Sequence, residues 1–205
     1  MIGMAAQGYE EDRPAQARQG AALWFTGLPG CGKSSLAGAV YDVLKGRGLE
    51  AVWLQMDARR KSYSSQPSYS EKERRQAYKL FAQEAAALAE QGRIVLMDAS
   101  APEKAMRQRA RKLVPRFAEV FLRCDVATAM AREAQRKGGL VMAGLYAKAM
   151  KRKATGEQFQ GLGQVIGVDL PFEEDPQAEL VLDAGNSSIQ AMRERVLDHF
   201  AAWLG

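Results

Sequence analysis

The chain has 205 residues with 47% hydrophobic and 26% charged residues and a formal net charge of +5. That length suits one domain, or at most two, and that composition is ordinary for globular proteins. No apolar run is long enough to span a bilayer, and two cysteines without metal spacing exclude a disulfide scaffold or a cysteine metal site.

The segment Met1 to Gly20 is short of apolar residues and lacks the apolar core of a signal peptide. It reads as a flexible tail over 1–20 preceding one folded domain over 21–205, and a cytoplasmic location is expected. The first apolar run, Leu23–Thr26, reads as a strand. Directly after it comes Gly27-Leu28-Pro29-Gly30-Cys31-Gly32-Lys33-Ser34, which fits G-x-x-x-x-G-K-[ST]. A helical apolar pattern follows over Lys33–Lys45. Strand, glycine loop and helix therefore occur in the order that a phosphate-binding loop requires.

The residue types carry the chemistry. Glycines let the backbone close around an anion. The loop amides and the N-terminus of the next helix then face the phosphates. Lys33 reaches the β- and γ-phosphates as a point charge, and Ser34 offers a hydroxyl to Mg²⁺. Leu28, Pro29, Cys31 and Ser35 complete the expected ATP-binding segment. Cys31 fits a tight turn as a small residue, although Lys33 and a helix N-terminus nearby could also lower its pKa.

Further strands are expected at Ala51–Met56, Ile94–Met97, Ala118–Leu122 and Leu180–Leu182. Helices are expected at Ser70–Gln91, Glu103–Leu113, Val126–Lys137, Leu145–Lys153 and Ser187–Trp203. Short apolar strands alternating with helices predict an α/β domain with a parallel sheet of five strands covered on both faces. Ligands in such sheets lie beyond the carboxyl ends of the strands. Asp57 and Arg60 follow the second strand, Asp98 follows the third, and Asp183-Ala184-Gly185 follows the fifth. Asp57 and Asp98 are therefore candidates for Mg²⁺ and acceptor handling.

Between Gly138 and Leu170 lie seven glycines, with Arg132, Arg136, Lys137, Lys148, Lys151, Arg152 and Lys153 around them. Glycine with clustered cations suits a mobile lid over phosphates. The other basic clusters are dispersed and read as solvated helix faces or as partners of polyanionic nucleotides, so no nucleic acid is expected as a partner. The sole histidine, His199, lies far from any nucleophile motif.

The chain resembles the adenylylsulfate (APS) kinase family. The opening Leu23-Trp24-Phe25-Thr26-Gly27-Leu28 is similar to W-[LF]-T-G-L. Asp57 and Arg60 match D-G-D-N-x-x-R, and Tyr69-Ser70 with Arg74 matches F-S-x-x-D-R. Gly144-Leu145-Tyr146 with Lys148-Ala149 is similar to K-G-L-Y-K-K-A. Gly167-Val168-Asp169 and Pro171-Phe172-Glu173 are similar to G-I-D-x-P-Y-E, and Leu180-Val181-Leu182-Asp183 to E-L-V-L-D.

The resemblance implies a P-loop NTPase three-layer sandwich of mononucleotide-kinase type, with a mobile basic lid over about 132–170. It implies transfer of the ATP γ-phosphoryl group to the 3′-hydroxyl of adenylylsulfate. By that analogy Lys33 and Asp57 are catalytic, with Asp57 orienting the acceptor hydroxyl or a Mg²⁺-bound water. Arg60 and Arg74 hold the phosphosulfate, and Tyr69 stacks on the acceptor base. Arg132 and Lys148 approach the ATP phosphates and adenine, with Ala184 and Gly185 also on the ATP side. Leu162 stands near the family's stacking phenylalanine. Metal ligands are Ser34, Asp57 and Asp98. The partners implied are nucleotides, with no membrane, and a homodimer is compatible.

The departures fall on the acceptor side. D-G-D-N reads Gln55-Met56-Asp57-Ala58, the asparagine after Arg74 is Ala77, the serine before Pro102 is Ala101, and the lysine before Gly144 is Ala143. These leave two alternatives open: a related kinase for another nucleotide conjugate or small-metabolite hydroxyl, and a non-catalytic nucleotide-binding homologue.

Overall fold

The computed structural model describes residues 19–64, 70–135 and 143–204. Five parallel strands form one sheet in the order β2-β3-β1-β4-β5. They are β1 (Ala21–Thr26), β2 (Ala51–Gln55), β3 (Ile94–Asp98), β4 (Phe117–Arg123) and β5 (Leu180–Asp183). The central strand β1 is buried along its whole length, which explains why it is apolar throughout and does not alternate.

Alternate side chains of β1 feed two cores. Leu23 and Phe25 pack with Leu36, Val40 and Leu44 of α1 (Lys33–Gly46) and with Met192 and Val196 of α7 (Ile189–His199). Ala22 and Trp24 face α3 (Glu71–Glu90) and α4 (Lys104–Leu113). Alanines dominate the buried face of α3, at 77, 82, 85, 86 and 89, so that helix can lie close to the sheet. Trp24 fills the space between, stacked on Tyr78 and edge-on to Phe81 and Phe117.

Helix starts follow local chemistry. Ser70 accepts a hydrogen bond from the Glu73 amide, and Asp125 from the Thr128 amide at α5 (Val126–Ala134). Ser188 caps α7 through the Ala191 amide.

The strands and most helices match the sequence expectations within a residue or two. Three places differ. The chain turns helical at Met56, so that α2 (Met56–Tyr63) carries Asp57 and Arg60. The C-terminal helix is split, with α8 (Ala201–Leu204) following a break at Phe200. Helix α5 ends at Ala134, and the expected extension to Lys137 runs into residues outside those described. Helix α6 (Leu145–Thr155) and the loop after it close a third, smaller core of Leu28, Ala129, Tyr146, Ala149, Val165 and Ile166. No described helix is long and apolar enough to cross a membrane.

Candidate active site

The loop from Gly27 to Ser34 joins β1 to α1 at the carboxyl edge of the sheet. Gly30 and Gly32 have φ of 85° and 99°, a conformation that disfavours side chains. A Cβ on Gly30 would lie 2.3 Å from the Ala129 carbonyl oxygen, so the loop is also too tightly packed for a larger residue there. Gly32 is the N-cap of α1 and offers no side chain to the first amides of the helix. Those amides are orphan donors at the positive end of the helix dipole, which is the chemistry of an anion site. Lys33 Nζ donates to the carbonyl oxygens of Leu28 at 2.8 Å and Gly27 at 3.2 Å.

Opposite the loop, α2 and α3 form the far wall. Asp57 is exposed in the first turn of α2. Arg60, one turn on, is buried and pairs with Glu73 at 2.8 Å. Arg74 donates to the Gln164 carbonyl at 2.7 Å, tying α3 to the lid loop. Asp98 closes β3 in register with Phe25 and Gln55 and is buried. Lys33, Ser34, Asp57, Arg60, Arg74 and Asp98 line one continuous cleft.

The turn after β3 forms the floor of this cleft, and it is held from several sides. Trp24 Nε1 donates to Ala99 O at 2.9 Å and Thr26 Oγ1 to Ser100 O at 2.6 Å. The Ala101 amide donates to Tyr78 Oη at 2.8 Å, and Arg107 donates to Ala101 O. Ala101 has φ of 42°, an uncommon value for a residue with a side chain, and these bonds hold it there. Arg107 is itself fully buried and pairs with Glu119 of β4 at 2.9 Å. Burial pushes the Glu119 carboxyl up, against the pull of Arg107.

At the other end of the loop, Arg132 donates to the carbonyl oxygens of Ala184 and Gly185. Asp183 shapes that segment by accepting from the Gly185 and Asn186 amides at 3.1 and 3.2 Å. The lid loop is organised by Arg152, which donates to Leu162 O at 2.9 Å, Gly163 O at 3.1 Å and Asp169 Oδ2 at 2.6 Å. Gly163 and Gln164 thereby reach the cleft.

Several expected residues lie elsewhere. Leu162 is buried in the small core that also holds Leu28 and Ile166 and is not among the residues lining the cleft, so the stacking expected of it rests on the family resemblance alone. Lys148 is half-buried, its Nζ donating to Ala143 O at 2.9 Å, and it does not line the cleft either. Tyr69 and residues 136–142 of the lid lie outside the described residues. Burial pushes the Cys31 thiol up, outweighing Lys33, so the lowered pKa entertained for it does not arise. Sequence reasoning missed Glu133, which is buried beside the loop and accepts from the Leu145 amide at 3.0 Å. It also missed Tyr78, although Tyr78 stands one helical turn after Arg74, on the same face of α3.

The adenylylsulphate kinase family model matches residues 19–183. An adenylyl-sulfate kinase of Paraburkholderia xenovorans is 32% identical over 184 residues, covering 89% of this chain and 94% of that protein. One of Geotalea daltonii is 34% identical over 177 residues, covering 85% and 79%. The structure of the Mycobacterium tuberculosis APS kinase CysC in complex with AMPPNP and APS is similar with a TM-score of 0.75 at 28% identity, covering 89% and 98% of the two chains.

Proposed function

The chain belongs to the adenylylsulphate kinase family, and from that premise we propose that it transfers the γ-phosphoryl group of ATP to the 3′-hydroxyl of adenylylsulfate, giving 3′-phosphoadenylylsulfate. The observation that carries this reading is the single cleft that joins the Lys33–Ser34 end to the Asp57, Arg60 and Arg74 wall. A donor site and an acceptor site facing each other are what in-line transfer requires.

On the donor side, the loop amides and Lys33 hold the ATP phosphates. Arg132 with Ala184 and Gly185 borders the position for adenine, supported by the guanidinium fork on their carbonyl oxygens. On the acceptor side, Arg60 and Arg74 hold the phosphosulfate, because guanidinium donors fork onto such oxygens. Tyr69 stacks on the acceptor base, by family analogy alone. Asp57 sits at the positive end of α2 and orients the 3′-hydroxyl, taking its proton as the new P–O bond forms.

The donor set at the phosphate end fits Mg²⁺. Ser34, Asp57 and Asp98 line it, and among the described residues no group of three or more His, Cys, Asp or Glu could hold a metal unaided. Mg²⁺ commonly takes one or two carboxylates together with substrate phosphates. Ser34 and Asp98, with Asp57 beside them, would hold it, and the bound ion would neutralise phosphate charge. A cytoplasmic role in sulfate assimilation suits an ATP-using enzyme with two free thiols.

The test is ADP release from MgATP in the presence of adenylylsulfate, beside a panel of other nucleotide conjugates. Turnover is expected with adenylylsulfate; turnover only with another conjugate would leave a kinase with a different acceptor.

A further inference from the structure

The wall of the acceptor site carries a polar group that neither the P-loop nor the arginine pair explains. Tyr78 is only 4% exposed, yet it lines the cleft with Asp57, Arg60 and Arg74. Its ring is fixed by stacking on Trp24. Its oxygen accepts from the Ala101 amide at 2.8 Å. A phenol has one O–H to give as well as lone pairs to receive. Among the described residues no acceptor takes that O–H.

A buried hydroxyl rarely leaves its proton without a partner. The charges that act on this oxygen are Arg60, Arg74 and Asp57, the three groups of the acceptor wall. The phenol also stays protonated, because burial pushes it up. Around it the polar groups are few: Ala99, Ala101 and Ala77 bring only methyl groups, and Ser100 is the one hydroxyl of the adjoining turn on the cleft among the described residues. A neutral donor held rigidly on the same cleft wall as two guanidinium groups is suited to an anionic oxygen that the arginines have already drawn in.

Building on the acceptor site proposed above, we infer that Tyr78 is a specificity-determining residue whose O–H donates to a phosphoryl or sulfuryl oxygen of the bound acceptor. A site built to hydrogen-bond its substrate discriminates strongly, since an acceptor lacking that oxygen leaves the buried hydroxyl unpaired.

The experiment compares wild type, Tyr78→Phe and Thr26→Val in steady-state kinetics with MgATP and adenylylsulfate varied in turn, alongside thermal unfolding. Tyr78→Phe keeps the ring and removes the hydroxyl. It is expected to raise KM for adenylylsulfate by roughly tenfold or more, as for a lost hydrogen bond to a charged group, with KM for MgATP within about twofold of wild type. Thr26→Val keeps the shape of a buried side chain off the cleft and removes its tie to Ser100 O, loosening the same turn, and it is expected to leave the acceptor KM near wild type. An unchanged acceptor KM in Tyr78→Phe, or an equal rise in both KM values, would overturn the inference. So would an acceptor defect of the same size in Thr26→Val, which would mean that the hydroxyl acts only by propping the turn. Wild type inert toward adenylylsulfate would instead remove the acceptor assignment itself, and this inference with it.

Discussion

Arg60 on α2 and Glu73 on α3 meet at 2.8 Å, with side chains only 8% and 15% exposed. The pair joins the short helix that carries Asp57 to the long helix that carries Arg74. It therefore sets the spacing of the acceptor wall. It also aims one guanidinium of that wall, since Arg60 lines the cleft while its Nη1 is held from behind. Helix α2 gains a second tie from Arg59 and Tyr63, both of which contact Glu84.

Glu73→Ala should accordingly damage acceptor use before it damages the fold. Releasing one end of a charge-assisted hydrogen bond costs about 1–3 kcal/mol, and the cleft-facing arginine can recover part of that from solvent. The expected result is an acceptor KM raised about tenfold with KM for MgATP little changed, read from steady-state kinetics.

Lys33→Ala should abolish transfer while leaving the protein folded. Among the described residues Lys33 donates only to loop carbonyls and to the weak acceptor Cys31. Removing a charge that stabilises a developing anion costs roughly 10²–10³ in rate. Turnover and thermal unfolding measured together will separate this from misfolding.

Asp57→Asn should lower turnover by about 10²-fold or more, within the range for a positioned base, with little change in MgATP affinity. Asp57 is exposed and makes no ion pair among the described residues, so the melting temperature should not move. Single-turnover kinetics at saturating MgATP will show whether the loss lies in the chemical step.

Glu119→Ala should be strongly destabilising. It strands the fully buried Arg107, which also holds Ala101 O and the Glu173 carbonyl. An uncompensated buried charge costs about 3–5 kcal/mol. Replacing both partners with Met and Leu should cost clearly less than the single change. Chemical denaturation of wild type and the two variants gives the comparison.

Most of the frame was legible in the sequence because apolar periodicity governs it. The five strands, the P-loop and the long helices follow from runs such as Leu23–Phe25 and from the stripe Leu36, Val40 and Leu44. Helix α2 was not legible, because Met56–Tyr63 is mostly polar and takes its place from long-range ties to Glu73 and Glu84. The G-V-D motif was recognisable as a motif, but its role was not. Asp169 accepts from Arg152 and from the Val165 amide, so it braces the lid loop and does not line the cleft. Leu162 is buried in the core cluster with Leu28 and is not among the cleft-lining residues, as an aliphatic side chain there gains more from packing than from facing solvent. Glu133 looked like one more helix charge, and only the fold brings it to the start of α6.

The most direct measurement is the fate of the γ-phosphoryl group of labelled MgATP incubated with adenylylsulfate. Label is expected on the 3′-oxygen of the nucleotide product, removable by a 3′-nucleotidase, with one ADP formed per product. It should disappear in Lys33→Ala and fall sharply in Asp57→Asn. Label recovered only as inorganic phosphate, at a rate indifferent to adenylylsulfate, would contradict adenylylsulfate kinase activity for this protein.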